Sequence, residues 1–152
     1  NMICSGAGAF ESLRLEKGYR SLGSDIHTNT NPYESGLGFT VKLKKDTDFI
    51  GKEALSKIKE APIQKKLACM VMDDSEGMAL GTEPIYSDGK AVGYVTSTNY
   101  GYFVDKHIVY GYLPSELSST GTKLELEYFG KRYPLTVTTE PLLDPENTRL
   151  KS

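Results

Sequence analysis

At 152 residues the chain has room for one domain whose core is large enough to need no disulfide or metal staple. Eighteen Lys and Arg against twenty Asp and Glu leave a net charge of -2, which argues against a nucleic-acid binder driven by phosphate contacts. No stretch approaches the roughly 18 apolar residues of a membrane span.

In chain order, residues 4–17 set Phe10, Leu13 and Leu15 near helical spacing with Arg14, Glu16 and Lys17 interleaved, and Gly18 supplies a C-terminal stop. A helix is predicted there, with Gly6, Ala7 and Gly8 as small residues where it packs closely. Residues 21–32 read as a polar, turn-rich stretch through Asn29, Asn31 and Pro32. Residues 38–43 alternate, with Phe39, Val41 and Leu43 on one face, and predict a strand. Ile50, Ala54, Leu55 and Ile58 then follow the helical period up to Pro62, which predicts an amphipathic helix. Gly36 and Gly38 are expected where backbones pack closely.

After Pro62 the pattern turns to period two. Strands are predicted at 67–72, 83–86, 91–98 and 107–112, with Asp88-Gly89 as a hairpin turn. Residues 123–129 and 132–138 form a second hairpin around Gly130. The fold class expected is α+β, mostly β: a small antiparallel β-barrel with two flanking helices. The likeliest seam, at 60–65, divides a helix–strand–helix segment, 1–62, from a C-terminal β-barrel, 63–152.

Cys4 and Cys69 stand far apart with no CxxC, and His27 and His107 are the only histidines. Zinc needs about four ligands at close spacing, so no metal site is expected. Both thiols are expected to be reduced and buried in a cytoplasmic protein. The opening Asn1, in place of an initiator Met, suggests a piece of a longer chain. There is no GxSxG, GxxxxGK[ST], HExxH or GxGxxG, so no local catalytic device and no catalytic residue is assigned. His27 and His107 have no neighbouring nucleophile and are read as hydrogen-bonding residues, and Asp73 and Asp74, before Ser75-Glu76-Gly77, as a solvated turn. Tyr94, Tyr100, Tyr102, Phe103, Tyr110 and Tyr112 are more unusual. Most suit packing, but Asn99, Tyr100 and Tyr102, with Gly101 to turn the backbone, make a plausible pocket lip for a flat aromatic ligand.

Four segments carry a resemblance: Ser12-Leu13-Arg14-Leu15-Glu16-Lys17-Gly18-Tyr19-Arg20, the 31–39 stretch around Asn31-Pro32-Tyr33-Glu34, Asp48-Phe49-Ile50-Gly51-Lys52-Glu53-Ala54-Leu55, and Val92-Gly93-Tyr94-Val95-Thr96-Ser97. Their order and spacing resemble the C-terminal part of the aminomethyltransferase family, the folate-dependent glycine cleavage T-proteins. The 96–102 segment and the 144–150 ending look most like the family's flavoprotein branch, the dimethylglycine-oxidase-like enzymes.

That resemblance implies tetrahydrofolate as cofactor, bound partly by Asn99, Tyr100 and Tyr102, and FAD in an N-terminal part outside this chain. The partners implied are upstream FAD and folate domains and a small-molecule N-methyl amine, with no nucleic acid and no membrane. The family's catalytic aspartate and pterin-gripping segment would lie upstream. An arginine that binds folate in the T-protein is Phe10 here, and a tyrosine near its end matches Thr148. Arg14, Glu16 and Arg20 are read as ion-pairing residues that seat the barrel, with Glu34 as a partner of Arg14 or Arg20. Two other readings stay open: a stand-alone aminomethyltransferase fragment, and a non-catalytic binding or scaffold barrel. The latter would cluster basic residues with exposed aromatics, whereas the densest run, Lys42, Lys44 and Lys45, sits beside Asp46 and Asp48.

Overall fold

The computed structural model describes residues 4–73, 77 and 79–151. Helix α1 spans Ala7–Glu16 and α2 Lys52–Glu60. Strands β1 (Lys65–Met72), β2 (Pro84–Ser87), β3 (Lys90–Gly101), β4 (Lys106–Pro114), β5 (Lys123–Tyr128) and β6 (Lys131–Thr138) follow, and a single turn, α3 (Thr148–Lys151), ends the described chain. The six strands close into an antiparallel barrel in the order β1-β4-β3-β2-β5-β6. This is the mostly-β barrel with two flanking helices that the alternating pattern predicts.

Both predicted hairpins form. Asp88 and Gly89 take φ of 49° and 75°, and Phe129 and Gly130 take 48° and 75°, so each two-residue turn is left-handed at both positions and matches the twist of its strands. Inside the barrel Met70, Ile85, Val95, Val109, Leu126 and Leu135 meet in one core. Burying a side chain of this size contributes about 1.5–3 kcal/mol relative to leaving it in water. A second cluster, Leu15, Leu67, Cys69, Ile108, Tyr110 and Tyr112, lies on the outer face of β1 and β4. These two strands are therefore buried on both faces, which explains why β1 reads as an almost unbroken apolar run.

Residues 4–62 and the tail supply that outer cover. Gly18 ends α1 with φ of 74°: its N–H bonds the Leu15 carbonyl (3.1 Å), and the Tyr19 N–H bonds that of Arg14 (2.8 Å), a Schellman stop. The chain then runs across the barrel wall and touches β1 where the Leu67 N–H donates to the Glu34 carbonyl (2.8 Å). Gly36 and Gly38 are packed closely, but against side chains and not the backbone expected: a Cβ on Gly36 would lie 2.9 Å from the Arg20 guanidinium, and one on Gly38 2.9 Å from the Tyr33 ring.

Four expectations fail. Residues 38–43 are not a strand: Gly38–Thr40 is a 3-10 turn closed by Thr40, whose N–H and Oγ1 both donate to the Leu37 carbonyl (3.0 and 2.7 Å). The segment has no ladder partner, and the ring of Phe39 faces solvent. The α1 apolar residues Phe10 and Leu13 are exposed, while Ser12, Arg14 and Glu16 are buried with Leu15. Among the described residues Gly6 and Gly8 have open space where a Cβ would stand, so neither position is closely packed, although the Asn99 amide reaches the Gly8 carbonyl (3.4 Å). Cys4 is exposed; only Cys69 is buried, and both are free thiols. Of the predicted 73–77 turn, Asp74, Ser75 and Glu76 lie outside the described residues; Asp73 is tied to β6, its N–H donating to the Pro134 carbonyl (3.0 Å).

Candidate functional site

The buried face of α1 is polar because it holds an ion-pair network. The Arg14 guanidinium donates to Asp25 Oδ2 at 2.6 Å, with both side chains withdrawn from solvent, and to Glu11 on the other side. Asp25 also accepts from the Ser21 N–H (2.9 Å) and, through Oδ1, from Thr96 Oγ1 (2.5 Å). Thr96 is the extra residue of a bulge in β3 between Val95 and Ser97, and the bulge turns its hydroxyl outward to Asp25. The Tyr112 hydroxyl closes the network on the Asp25 carbonyl (2.8 Å).

Arg20 lies under the tail. It donates to the Ser35 carbonyl (3.1 Å) and pairs with Glu140, its guanidinium 5.7 Å from the Tyr110 ring centre. Burial works against the Arg20 charge, but the Glu140 hydrogen bond and charge outweigh it and hold the pKa above its ordinary value. Arg14 and Arg20 thus seat the barrel as expected, through Asp25 and Glu140. Glu34, the partner expected from the sequence, instead accepts from the Asn31 N–H (3.0 Å) and closes its own turn. Asp25 could have been found: an arginine one position from the buried Leu15 requires a carboxylate within reach.

The Tyr100 region combines strand and turn. Asn99 and Tyr100 are the closing residues of β3, not a loop, and Tyr102 stands in the turn to β4. The rings of Tyr100 and Tyr102 meet edge to face at 5.2 Å, and Tyr102 is 79% exposed. The Tyr100 hydroxyl donates to the Asp105 carboxylate, a hydrogen bond that raises its pKa. Asn99 accepts from the Tyr100 N–H (2.8 Å) and reaches the Gly8 carbonyl (3.4 Å).

An open cleft of about 510 Å³ lies beside them, lined by Gly8, Ala9, Ser12, Leu13, Asn99 and Tyr102. On the far side of the same turn a second cleft, of about 530 Å³, is lined by residues that include Phe103, Lys106, Leu142, Asp144, Thr148 and Arg149. The Arg149 guanidinium stacks 4.5 Å over the Phe103 ring. Asp144, the carboxylate among the described lining residues, is engaged in capping α3. Phe103 stands among the aromatics singled out from the sequence, but Lys106 and Arg149 were not, because the tail that brings Arg149 to the turn crosses more than 40 residues.

Among the described residues both histidines make ordinary hydrogen bonds. His27 Nδ1 accepts from the Asn29 N–H (3.2 Å), while His107 Nε2 lies 3.0 Å from Thr98 Oγ1 and burial lowers its pKa. Among the described residues no group of three or more His, Cys, Asp and Glu could hold a metal ion, and no helix is long and apolar enough to cross a membrane.

A closed six-strand barrel whose outer wall is roofed by an arginine-anchored helix and a returning tail belongs with one family. The sequence profile of the glycine cleavage T-protein C-terminal barrel domain matches residues 65–144, and that of the GCVT N-terminal domain matches residues 1–45; the chain is a member of the glycine cleavage T-protein family. Its fold aligns with the crystal structure of the glycine cleavage system aminomethyltransferase T from Bartonella henselae, with a TM-score of 0.80 and 27% identity over 90% of this chain and 38% of that one. Among curated relatives it is 40% identical over 148 residues to the mitochondrial dimethylglycine dehydrogenase of Rattus norvegicus, 96% of this chain. It is 36% identical over 157 residues to the mitochondrial sarcosine dehydrogenase of Homo sapiens, 99% of this chain. The chain spans 17% of the length of each of these two relatives.

Proposed function

We propose that this chain is the C-terminal region of a dimethylglycine-oxidase-like flavoprotein that oxidises an N-methyl amine and passes the one-carbon unit to tetrahydrofolate. The observation that carries the reading is the likeness, over nearly the whole chain, to two dehydrogenases named for N-methylated glycines, dimethylglycine and sarcosine. In this reading FAD belongs to the upstream part, where it would accept the two electrons of the oxidation. Tetrahydrofolate is the group toward which residues of this chain point.

The residues present fit such a ligand. Tyr100, Tyr102 and Phe103 offer aromatic faces and edges for a flat ring system, Asn99 an amide donor and acceptor, and Lys106 and Arg149 cations for a carboxylate tail. Thr148 lines the second cleft at the position where the resemblance implies a tyrosine, so the tail would be held there by cations and not by a phenol. No carboxylate in these clefts is free to move a proton, which leaves this region to bind and orient the acceptor while chemistry proceeds upstream. The open start of α1, with Phe10 and Leu13 facing solvent and open space at the Cβ positions of Gly6 and Gly8 among the described residues, supports docking of the upstream folate domain on that face. We place the protein in a thiol-reducing compartment, consistent with a free buried Cys69; both curated dehydrogenases are described as mitochondrial.

The test is made on the full-length protein supplied with an N-methylated glycine. The expected result is flavin reduction, with methylenetetrahydrofolate formed at the expense of free formaldehyde when tetrahydrofolate is added. Formaldehyde release indifferent to tetrahydrofolate would overturn the reading. A full-length protein without flavin that still forms methylenetetrahydrofolate would identify a stand-alone aminomethyltransferase.

A further inference from the structure

We infer that Glu16 is a positioning residue of the folate site, holding the turn that carries Tyr102 on helix α1; the inference rests on the folate reading above. Ser12 and Glu16 lie four residues apart and so share one face of α1. Ser12 Oγ donates to the Tyr100 carbonyl at 2.7 Å. Glu16 Oε1 accepts from two successive backbone donors, the N–H of Phe103 at 2.6 Å and of Val104 at 3.2 Å. The contacts bracket Gly101 and Tyr102, so the residue on each side of that pair is fastened to the same helix.

The turn rests directly on the Glu16 side chain. A Cβ on Gly101 would stand 3.0 Å from Glu16 Cγ and 2.8 Å from Ile108 Cδ1, so only glycine lets the backbone approach this closely. Glu16 is 0% exposed, and its second oxygen, Oε2, has no hydrogen-bond partner among the described residues. A carboxylate withdrawn from water and half satisfied is costly, and a neutral apolar residue would serve better if packing were its whole task. What only an ionised or amide oxygen supplies here is an acceptor for two N–H groups that no β-ladder engages.

The clamp also crosses a boundary. Helix α1 falls within residues 1–45, matched by the profile of the N-terminal domain, whereas Tyr100 to Val104 fall within residues 65–144, matched by the barrel profile. Glu16 therefore ties the element nearest the upstream domain to the turn that presents the aromatic pair. Loss of the clamp would free the turn while leaving the barrel core, which it does not touch, intact.

The experiment uses the full-length protein with Glu16→Ala, Glu16→Gln and Ser12→Ala, following amide hydrogen exchange together with steady-state kinetics in tetrahydrofolate. In Glu16→Ala, exchange at Phe103 and Val104 should accelerate while the core amides of Val109 and Leu113 keep their protection. The KM for tetrahydrofolate should rise about tenfold with a smaller change in kcat. Glu16→Gln keeps an oxygen acceptor and should restore both readouts. Unchanged exchange at Phe103 and Val104, or an unchanged KM once that protection is lost, would overturn the inference. Should Glu16→Ala not fold, Ser12→Ala carries the test, with about a threefold rise in KM expected and an unaltered KM overturning it. An unmutated protein indifferent to tetrahydrofolate would overturn the folate reading itself, and that failure is read before any variant is made.

Discussion

The Arg14 guanidinium and the Asp25 carboxylate meet at 2.6 Å beneath the surface, joining α1 to the irregular chain that crosses the barrel wall. Thr96 connects the Asp25 carboxylate to β3 and Tyr112 its backbone carbonyl to β4, so one residue ties α1 to two strands. Such a pair specifies geometry more than it adds stability, because the desolvation of both charges offsets much of their attraction.

Removing one partner exposes that balance. Asp25→Ala should destabilise the chain by about 3–5 kcal/mol, since the Arg14 charge would stay buried and uncompensated. The double variant Arg14→Met/Asp25→Leu should lose less than Asp25→Ala alone. Denaturant unfolding of the unmutated protein and the two variants measures this, and a double variant that loses as much as Asp25→Ala or more would overturn it.

A second prediction concerns the corner where β3 passes over β4. A Cβ on Gly111 would lie 2.6 Å from the Tyr94 carbonyl oxygen and 2.8 Å from Ile85 Cδ1, and one on Gly93 would collide with the Tyr112 carbonyl oxygen. The two carbonyl clashes are with ladder backbone, which cannot rotate away as the Ile85 side chain can. Gly111→Ala should therefore cost about 3 kcal/mol or more, at the upper end of overpacking effects. Gly121→Ala serves as a contrast: its Cβ would meet open space, and its φ of 92° leaves only local strain. Thermal unfolding should separate the two, with the larger loss at Gly111.

The barrel was legible in the sequence because each strand carries its own evidence: alternation in β3 to β6, and turns such as Asp88-Gly89 whose residues require left-handed backbone. Residues 38–43 alternate just as well, yet alternation describes a face and not a partner, and without a neighbouring strand the segment closed into a 3-10 turn. The same limit applies to α1. Its apolar spacing is visible, but Phe10 and Leu13 face out because the inner side is occupied by Arg14 and Glu16, whose partners Asp25, Phe103 and Val104 lie 11 to 88 residues away. Asn99, Tyr100 and Tyr102 were found together because they are near in sequence; Arg149 joins Phe103 only through the fold.

The two thiols should differ sharply in reactivity. Burial, the largest effect, pushes the Cys69 thiol up to about 12, while Cys4 is exposed. Only the thiolate is an effective nucleophile, so iodoacetamide at pH 8 should label Cys4 and reach Cys69 only after denaturation. The folded state keeps the Cys69 proton that the unfolded chain releases above 9.0, so the contribution to stability is complete below that value and is lost as pH rises toward about 12. Rapid labelling of Cys69 in the native protein would show that the outer cluster opens.

Acid should loosen the tail only at low pH. Asp144 caps α3, with Oδ1 accepting from the Thr148 N–H (2.8 Å) and Oγ1 (2.7 Å), and it lies 3.4 Å from Lys17 Nζ. The Thr148 hydroxyl, ahead of the backbone N–H groups and Lys17, lowers its pKa from 3.8 to about 2. A depressed carboxylate stabilises the fold above its unfolded value, so this contribution should be present above 3.8 and fade as pH falls through about 2. Asp144→Asn should remove that acid dependence, as monitored by amide exchange at Thr148 and Arg149, and an unchanged profile would assign the acid response to other carboxylates.

The last prediction returns to Tyr100 and Tyr102. Their edge-to-face contact leaves Tyr102 mostly in solvent, and the hydrogen bond from Tyr100 to Asp105 fixes one ring of the pair. An exposed aromatic pair held this firmly is suited to receive a planar ligand, because little ordering remains to oppose binding. In the full-length protein Tyr100→Ala and Tyr102→Ala should each weaken tetrahydrofolate binding by about 1 kcal/mol, the scale of measured aromatic pairs. Tyr100→Phe keeps the ring but releases Asp105 and should fall between Tyr100→Ala and the unmutated protein. Equilibrium titration of tetrahydrofolate fluorescence measures all three, and unchanged affinity in both alanine variants would remove this turn from the folate site.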